Sequence, residues 1–476
     1  PEDYQDWILC GLDLKGLSEP DFSDVAVASE RQFGRTGDTD PVESGYSIEL
    51  KDVAEEVGLD FRYDSGNRRT DGSYLLLHTL GGGIGVLDFD RDGWSDAYFS
   101  QGGGTAFEND NAANVLLRNL SGERFVQVSA DAKVEDDRYG QGVSAADINQ
   151  DGFVDLVVAN IGPNTIFRNN GDGTFTELEI EPWRTKDYWT SQVAVADLTG
   201  DGLVDLVECN YIDDPTSLTT YCTKSEQLCA PAKFLPSKNR VLTGDSRGGF
   251  RPDRRAEEIE GLPRFSLGVV AGDLDGANGN DVFIANDTVE NELWINQLTP
   301  QSERDRLNLS EQSRLRGCAT GPLGELQGCM GIAVGDFDRN GTFDMYVTNY
   351  YNQASNLFLQ QSGGLFVDYV RAYSAYDSSA PKVGFGTQAA DLDHDGWLDL
   401  VVLNGHAVDR RELGEPLQMP PQLYRGHRGE LSLMKPETRF WTVPTLGRTL
   451  AMFDWNRDGR VDFLANHLDA PAALLQ

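Results

Sequence analysis

The 476-residue chain is 39% hydrophobic and 25% charged, the balance of a folded globular protein, with 51 Gly marking many turns and a formal net charge of −37. That charge argues against binding to nucleic-acid phosphates and anionic membrane surfaces, and it is compatible with cation binding. The sequence holds no run of about 18 apolar residues, so no membrane-spanning helix is expected.

Residues 1–45 carry no repeat and read as an N-terminal extension or linker. The chain starts at Pro1 without a basic leader, which suggests a processed or partial sequence. The stretch "YSIELKDVAEEVGLDF" (46–61) then reads as a strand. From there one motif recurs seven times: "DFDRDGWSD" from Asp88, "DINQDGFVD" from Asp147, "DLTGDGLVD" from Asp197, "DLDGANGND" from Asp273, "DFDRNGTFD" from Asp336, "DLDHDGWLD" from Asp391 and "DWNRDGRVD" from Asp454. The copies stand 50 to 76 residues apart, the signature of an array.

Each copy sits in the same frame. A small-residue run such as "GQGVSAA" precedes it, a β-rich run such as "LVVAN" or "MYVTN" follows, and two further short strands complete the unit. Four strands per repeat and seven repeats predict an all-β, seven-bladed β-propeller over 46–476. The last copy runs out at Gln476 before a fourth strand, so the 46–61 strand is expected to complete blade seven and leave no open edge.

In D-x-D-x-D-G-x-x-D, positions 1, 3, 5 and 9 offer side-chain oxygens, position 7 a carbonyl, and Gly at position 6 permits the reversal. A flexible set of hard oxygens suits Ca²⁺ better than Mg²⁺. The expected ligands are Asp88, Asp90, Asp92 and Asp96; Asp147, Asn149, Asp151 and Asp155; Asp197, Thr199, Asp201 and Asp205. They continue with Asp273, Asp275, Asn278 and Asp281; Asp336, Asp338, Asn340 and Asp344; Asp391, Asp393, Asp395 and Asp399; Asp454, Asn456, Asp458 and Asp462. Up to seven ions are expected. The third copy departs from the pattern at Thr199, and the fourth at Ala277, with its Gly moved to 279. An EF-hand is excluded because position 12 is Phe99 or Val158 rather than Glu. The motif places 23 of the chain's 77 acidic residues in these loops, and seven copies in one register are hard to explain as turn formers alone.

Six cysteines form no zinc pattern. Cys222 and Cys229, within an insertion at about 211–245, and Cys318 and Cys329, within a loop at about 300–330, are expected to form local disulfides; Cys10 and Cys209 have no near partner.

The stretches "GQGVSAADINQDGFVDLVVANIGPN", "CMGIAVGDFDRNGTFDMYVTN" and "GFGTQAADLDHDGWLDLVVLNGH" resemble the FG-GAP/VCBS repeat propellers, the repeat type of the integrin α head, and more closely the ASPIC/UnbV-associated group. The resemblance spans 46–476. It implies calcium in the loop between the first two strands of each blade, and an exported protein (periplasmic, cell-surface or secreted) without an established catalytic constellation. On the opposite face, second strands end in Asn residues, and His78, Asp287, Asn349, His406 and His467 are expected to form a ligand face. The expected function is a calcium-binding adhesion or scaffold module of a larger assembly, with a protein or glycan partner on that face. The alternative is a calcium-dependent polysaccharide-cleaving enzyme, which would need a Tyr, His or Lys base beside an Arg-lined groove.

Overall fold

Each second strand begins at the ninth residue of an acidic loop. In chain order these strands are Asp96–Phe99, Asp155–Gly162, Asp205–Asn210, Asp281–Asn286, Asp344–Val347, Asp399–Asn404 and Asp462–His467, and all are buried on both faces. That is why they read as continuous apolar runs rather than alternating ones. Each is covered by a neighbouring sheet on either side, and each fully buried Val, Leu or Phe contributes about 1.5–3 kcal/mol. The computed structural model describes residues 48–178, 188–222, 230–252, 261–277, 279–299, 306–370, 375–428 and 430–476. All of these strands belong to the unit Tyr46–Gln476.

Among the described residues the strands form antiparallel sheets in simple sequential order. Five of the seven units are separate sheets. The second and third join into one because Ile161 pairs with Trp189 and Gly162 with Tyr188 at the end opposite the acidic loops. The first strands are Ile84–Leu87, Tyr139–Ala146, Tyr188–Ala196, Ser266–Gly272, Ile332–Gly335, Gly384–Ala390 and Gly447–Phe453. Each touches the next, and the last touches the first, which closes a β-propeller ring. Such close approach needs glycine. A Cβ on Gly331 would lie 2.0 Å from the Phe385 carbonyl oxygen, and one on Gly268 2.2 Å from that of Met330.

The last unit has three strands of its own, ending with Ala473–Leu475. The N-terminal segment supplies the fourth: Lys51 N–H donates to Gln476 O (2.9 Å), Gln476 N–H to Lys51 O (3.0 Å) and Val53 N–H to Leu474 O (2.8 Å). Val53, Val57, Leu59 and Phe61 fill the core between the last and first blades with Trp455, Leu464 and Leu474, and Phe61 stacks on Phe99 at 4.4 Å. The expected closure is therefore present.

The third-blade insertion is a clamp. Its described residues, 211–222 and 230–239, lie on the face opposite the acidic loops, where Cys222 pairs through its backbone with Tyr74, and Ser237 with Arg264. Ile212 and Phe234 join one apolar cluster with Leu76, Leu77, Met330 and Phe385, which covers that end of the ring.

The expected Cys318–Cys329 disulfide is absent. Both residues are buried free thiols in the core between blades four and five, packed among Phe283, Leu293 and Phe366 as small apolar groups. Cys209 is also free and buried, in the core between blades three and four. Cys10 and Cys229 lie outside the described residues, so the Cys222–Cys229 expectation falls there.

These contacts can be tested at the seam and at the thiols. Phe61→Ala should destabilise the fold by about 3–5 kcal/mol in chemical denaturation; a change under about 0.5 kcal/mol, the size of a surface substitution, would mean that the N-terminal segment does not close the ring. Burial pushes the Cys329 thiol up to about 12 and that of Cys318 higher still. Both should resist alkylation in the native protein and react once it is unfolded, without a reductant.

Candidate metal loops and the opposite face

The seven loops share one backbone shape. Position 4 has positive φ throughout, 56–61° at Arg91, Gln150, Arg339, His394 and Arg457 and 74° at Gly200 and Gly276. Position 6 is a Gly at 80–90° in six loops, and in the fourth Gly279 takes 100° one place later. The carboxylate at position 1 accepts the N–H of the position-6 Gly in those six loops, at 2.8–2.9 Å. The fourth loop's Asn278 lies outside the described residues.

Position 9 is a brace. Asp96 is fully buried, its Oδ2 accepting Phe89 N–H (3.1 Å) and its Oδ1 accepting Asn119 N–H of the third strand (2.8 Å). Asp155, Asp205, Asp281, Asp344 and Asp399 repeat the arrangement. Asp462 keeps the first bond, from Trp455 N–H (3.0 Å).

In four loops a carboxylate oxygen from each of positions 1, 3 and 9 falls within 4.8 Å of the others: Asp88, Asp90 and Asp96; Asp273, Asp275 and Asp281; Asp336, Asp338 and Asp344; Asp391, Asp393 and Asp399. These clusters can hold a metal ion. Asp88 Oδ1 is buried with no hydrogen-bond partner, an acceptor that a cation would satisfy. In the remaining loops Asn149, Thr199 and Asn456 place an amide or hydroxyl oxygen at position 3. At position 5, Asp92, Asp151, Asp201, Asp395 and Asp458, like Asn340, accept the N–H two residues on.

Sequence reasoning missed the cations already in place. Arg118 reaches Asp90 (2.5 Å) and Asp92 (3.0 Å), and Arg425 reaches Asp393 (2.5 Å) and Asp395 (3.2 Å), in the two loops with four carboxylates. The signal was present: "LLRN" and "LYRG" put an Arg at the same place in the third strand. Neighbouring loops are also linked. Arg91 stacks over Phe153 (5.1 Å), Arg339 over Trp397 (5.0 Å) and Arg457 over Trp94 (5.3 Å), position 4 of one loop gripping position 7 of the next. Arg457 makes this contact across the seam between the last and first blades.

The expected ligand face is not assembled from the residues named for it. His406 is 1% exposed; its Nδ1 accepts Val408 N–H (3.0 Å) and its Nε2 meets Glu415 (3.2 Å). His467, 3% exposed, bonds through Nδ1 to Pro471 O (3.0 Å) and packs 6.1 Å from the Phe440 ring. His78 accepts Leu75 N–H (3.1 Å) in the turn Leu76–Thr79. Asn349 is buried and donates to Ala354 O (2.7 Å) and Asn356 (2.8 Å), while Asp287 accepts the Tyr211 hydroxyl (2.9 Å). Burial lowers the pKa of His78 and His406 to about 4 and lowers that of His467, and it raises that of Asp287 to about 6. Among the described residues no hydrogen bond or ring contact joins one imidazole to another. The three imidazoles and the Asn349 amide N–H groups are bonded within their own loops, and Asp287 is bonded from the preceding blade.

A different network does form there. Tyr350 lies 5.1 Å from the His406 ring, and Arg410 pairs with Glu415 at 3.3 Å. Arg410 and Glu415 sit in an irregular connection with no counterpart in other repeats, so the repeat pattern gave no signal for them.

Burial, opposed by backbone hydrogen bonds, raises the position-9 carboxyls: Asp96 to about 8, Asp344, Asp399 and Asp462 to about 7, and Asp155, Asp205 and Asp281 to about 6. A folded pKa above the unfolded value means that the folded chain holds more protons, so stability falls as pH rises through about 4 to 8. The histidines, with folded pKa values below 6.5, oppose this only below about pH 6.5. In chelator the melting temperature should therefore be lower at pH 8.5 than at pH 6.5, and Asp96→Asn should flatten that slope. A flat or rising profile in chelator would refute the assignment.

A family model for the FG-GAP-like repeat matches residues 88–158, 147–208 and 336–402, which contain loops one to three, five and six. Cartilage acidic protein 1 of Homo sapiens is 34% identical over 122 residues, and that of Mus musculus 30%. In both cases the match covers 25% of this chain and 15% of the relative's length. Similar solved structures include an Agrocybe aegerita lectin that recognises non-reducing terminal N-acetylglucosamine (14% identity, TM-score 0.47, 83% of this chain and 87% of that one). Another is the BP39L lectin of Burkholderia pseudomallei (9% identity, TM-score 0.48, 84% and 96%). With acidic loop, buried second strand and braced third strand recurring where the family model matches, residues 88–208 and 336–402 are FG-GAP-like repeats.

Proposed function

We propose that the protein is an exported, calcium-stabilised propeller that serves as a binding or scaffold module. The observation that carries this reading is the recurrence of one loop geometry in which carboxylates from positions 1, 3 and 9 close on a common point. The donors are all hard oxygens on a loop with left-handed residues at positions 4 and 6, which suits the larger and less demanding Ca²⁺ over Mg²⁺. A bound divalent ion offsets the repulsion among carboxylates that burial has already made unfavourable in ionised form. Thr199 offers only a hydroxyl at position 3, and Ala277 gives the fourth loop no side-chain oxygen at position 5, so those sites are the weakest of the seven.

The face opposite the loops is proposed to meet a protein or glycan partner. The half-buried rings of Tyr350 and Tyr351, with Arg410 and Glu415, offer stacking and hydrogen bonding there, while His406 supports them from beneath. An exported setting agrees with weak calcium sites, which fill only where the free ion is plentiful. Among the described residues no helix is long and apolar enough to cross a membrane.

Chelation should lower the melting temperature, and Ca²⁺ should restore it at lower concentration than Mg²⁺, with site affinities of roughly 10⁻⁴–10⁻³ M as in extracellular modules. A melting curve unmoved by excess chelator, in protein shown by elemental analysis to have carried metal beforehand, would overturn the reading.

A further inference from the structure

On the ring axis lies a cavity of about 290 Å³, bounded by residues of all seven first-strand segments. Leu80, Met330 and Phe385, part of the apolar cluster on the face opposite the loops, form one wall. The polar lining includes Gln192, Gln388, Ser191, Thr449 and Arg448.

Arg448 is only 5% exposed. Its Nε donates to Thr79 O (2.8 Å), Nη1 to Gly405 O (3.2 Å) and Gly447 O (2.8 Å), and Nη2 to His406 O (3.2 Å), and the guanidinium stacks on Phe385 at 3.9 Å. Every one of these partners is neutral. Among the described residues no carboxylate forms an ion pair with Arg448. Asp469 acts on it only at a distance, its oxygens being taken by Leu446 N–H and the Gln418 amide. Buried charges in proteins are paired, because removing a charge from water without a counter-charge is expensive. The carbonyls satisfy the hydrogen bonds of Arg448 but leave its charge unmatched, beside a chamber with room for about ten waters. Donors remain inside the chamber: one N–H on Nη2 of Arg448, and the amide N–H groups of Gln192, whose Oε1 accepts Val193 N–H (3.1 Å).

We propose that this axial chamber binds one small oxyanion, inorganic or a short carboxylate, as the counter-ion of Arg448. The site is distinct from the acidic loops and from the opposite face. Arg448 joins the last blade to Gly405 and His406 of blade six and to Thr79 ahead of blade one, so a bound anion reinforces the closing seam.

The test uses the full chain, saturated with Ca²⁺ and exchanged into a buffer whose only anion is a sulfonate too bulky for the chamber. Sulfate, nitrate and acetate are then titrated at constant ionic strength. At least one should raise the melting temperature saturably and bind with unit stoichiometry by calorimetry. Gln192→Leu, which leaves the Arg448 contacts intact, should weaken that binding about tenfold, and Arg448→Gln should abolish the saturable effect. Should Arg448→Gln fail to fold, crystals of the wild type soaked in each of the three anions decide the matter: anion density in the chamber beside Arg448 supports the site, and its absence with all three overturns it. The proposal also fails if none of the three anions acts saturably, or if both variants respond like wild type. Because metal is saturating throughout, these outcomes are independent of whether the loops prove to be calcium sites.

Discussion

The structure depends on one buried carboxylate repeated around the ring. The Asp at position 9 opens every second strand, and in six blades its two oxygens tie the acidic loop to the third strand. Those bonds hold loop and sheet in register, but they require an acid where its ionised form is costly. The strain is electrostatic: in four loops positions 1 and 3 bring further carboxylate oxygens within 4.8 Å of the brace, so a metal ion held there would relieve both the desolvation and the repulsion. The side chain that braces the fold is thus also one that could hold a metal ion.

Closing a ring of similar blades raises a different difficulty, since the chain's two ends must find each other. Three devices act at that seam. The 48–61 segment completes the last sheet and fills the core beside the first. Arg457 stacks on Trp94 among the loops, and Arg448 grips carbonyls on both sides of the seam near the axis. They sit at the outer edge, the loop face and the axis, so opening the ring means breaking contacts of three kinds. The glycine-lined inner strands leave an axial chamber, and the Arg448 guanidinium that lines it brings a charge that the surrounding backbone cannot neutralise.

The two ends of the ring differ in character. The loop end is acidic, regular and built from local hydrogen bonds. The other end is irregular, covered by the clamp residues 211–222 and 230–239 and an apolar cluster contributed by several blades. Regular geometry suits repeated ion sites, whereas the proposed partner face rests on residues that do not repeat, Tyr350, Arg410 and Glu415.

What the sequence by itself determined was everything that repeats within one blade. The nine-residue loop, the buried run after it and the missing last strand are local patterns set by spacing and hydrophobicity, so they were legible without coordinates, down to the N-terminal segment that closes blade seven. Tertiary structure alone decided the rest. Cys318 and Cys329 lie eleven residues apart in a loop that reads as a disulfide loop, yet packing between blades keeps them as thiols. His467 ends the last blade's second strand and His406 lies two residues past the end of the sixth blade's, yet each turns to a different local partner. Arg448 shows nothing unusual in "LGRTL" and becomes central only because residues 79, 405 and 406 arrive beside it. Such contacts join segments far apart in the chain, and local periodicity carries no information about which side chain will stand at their crossing.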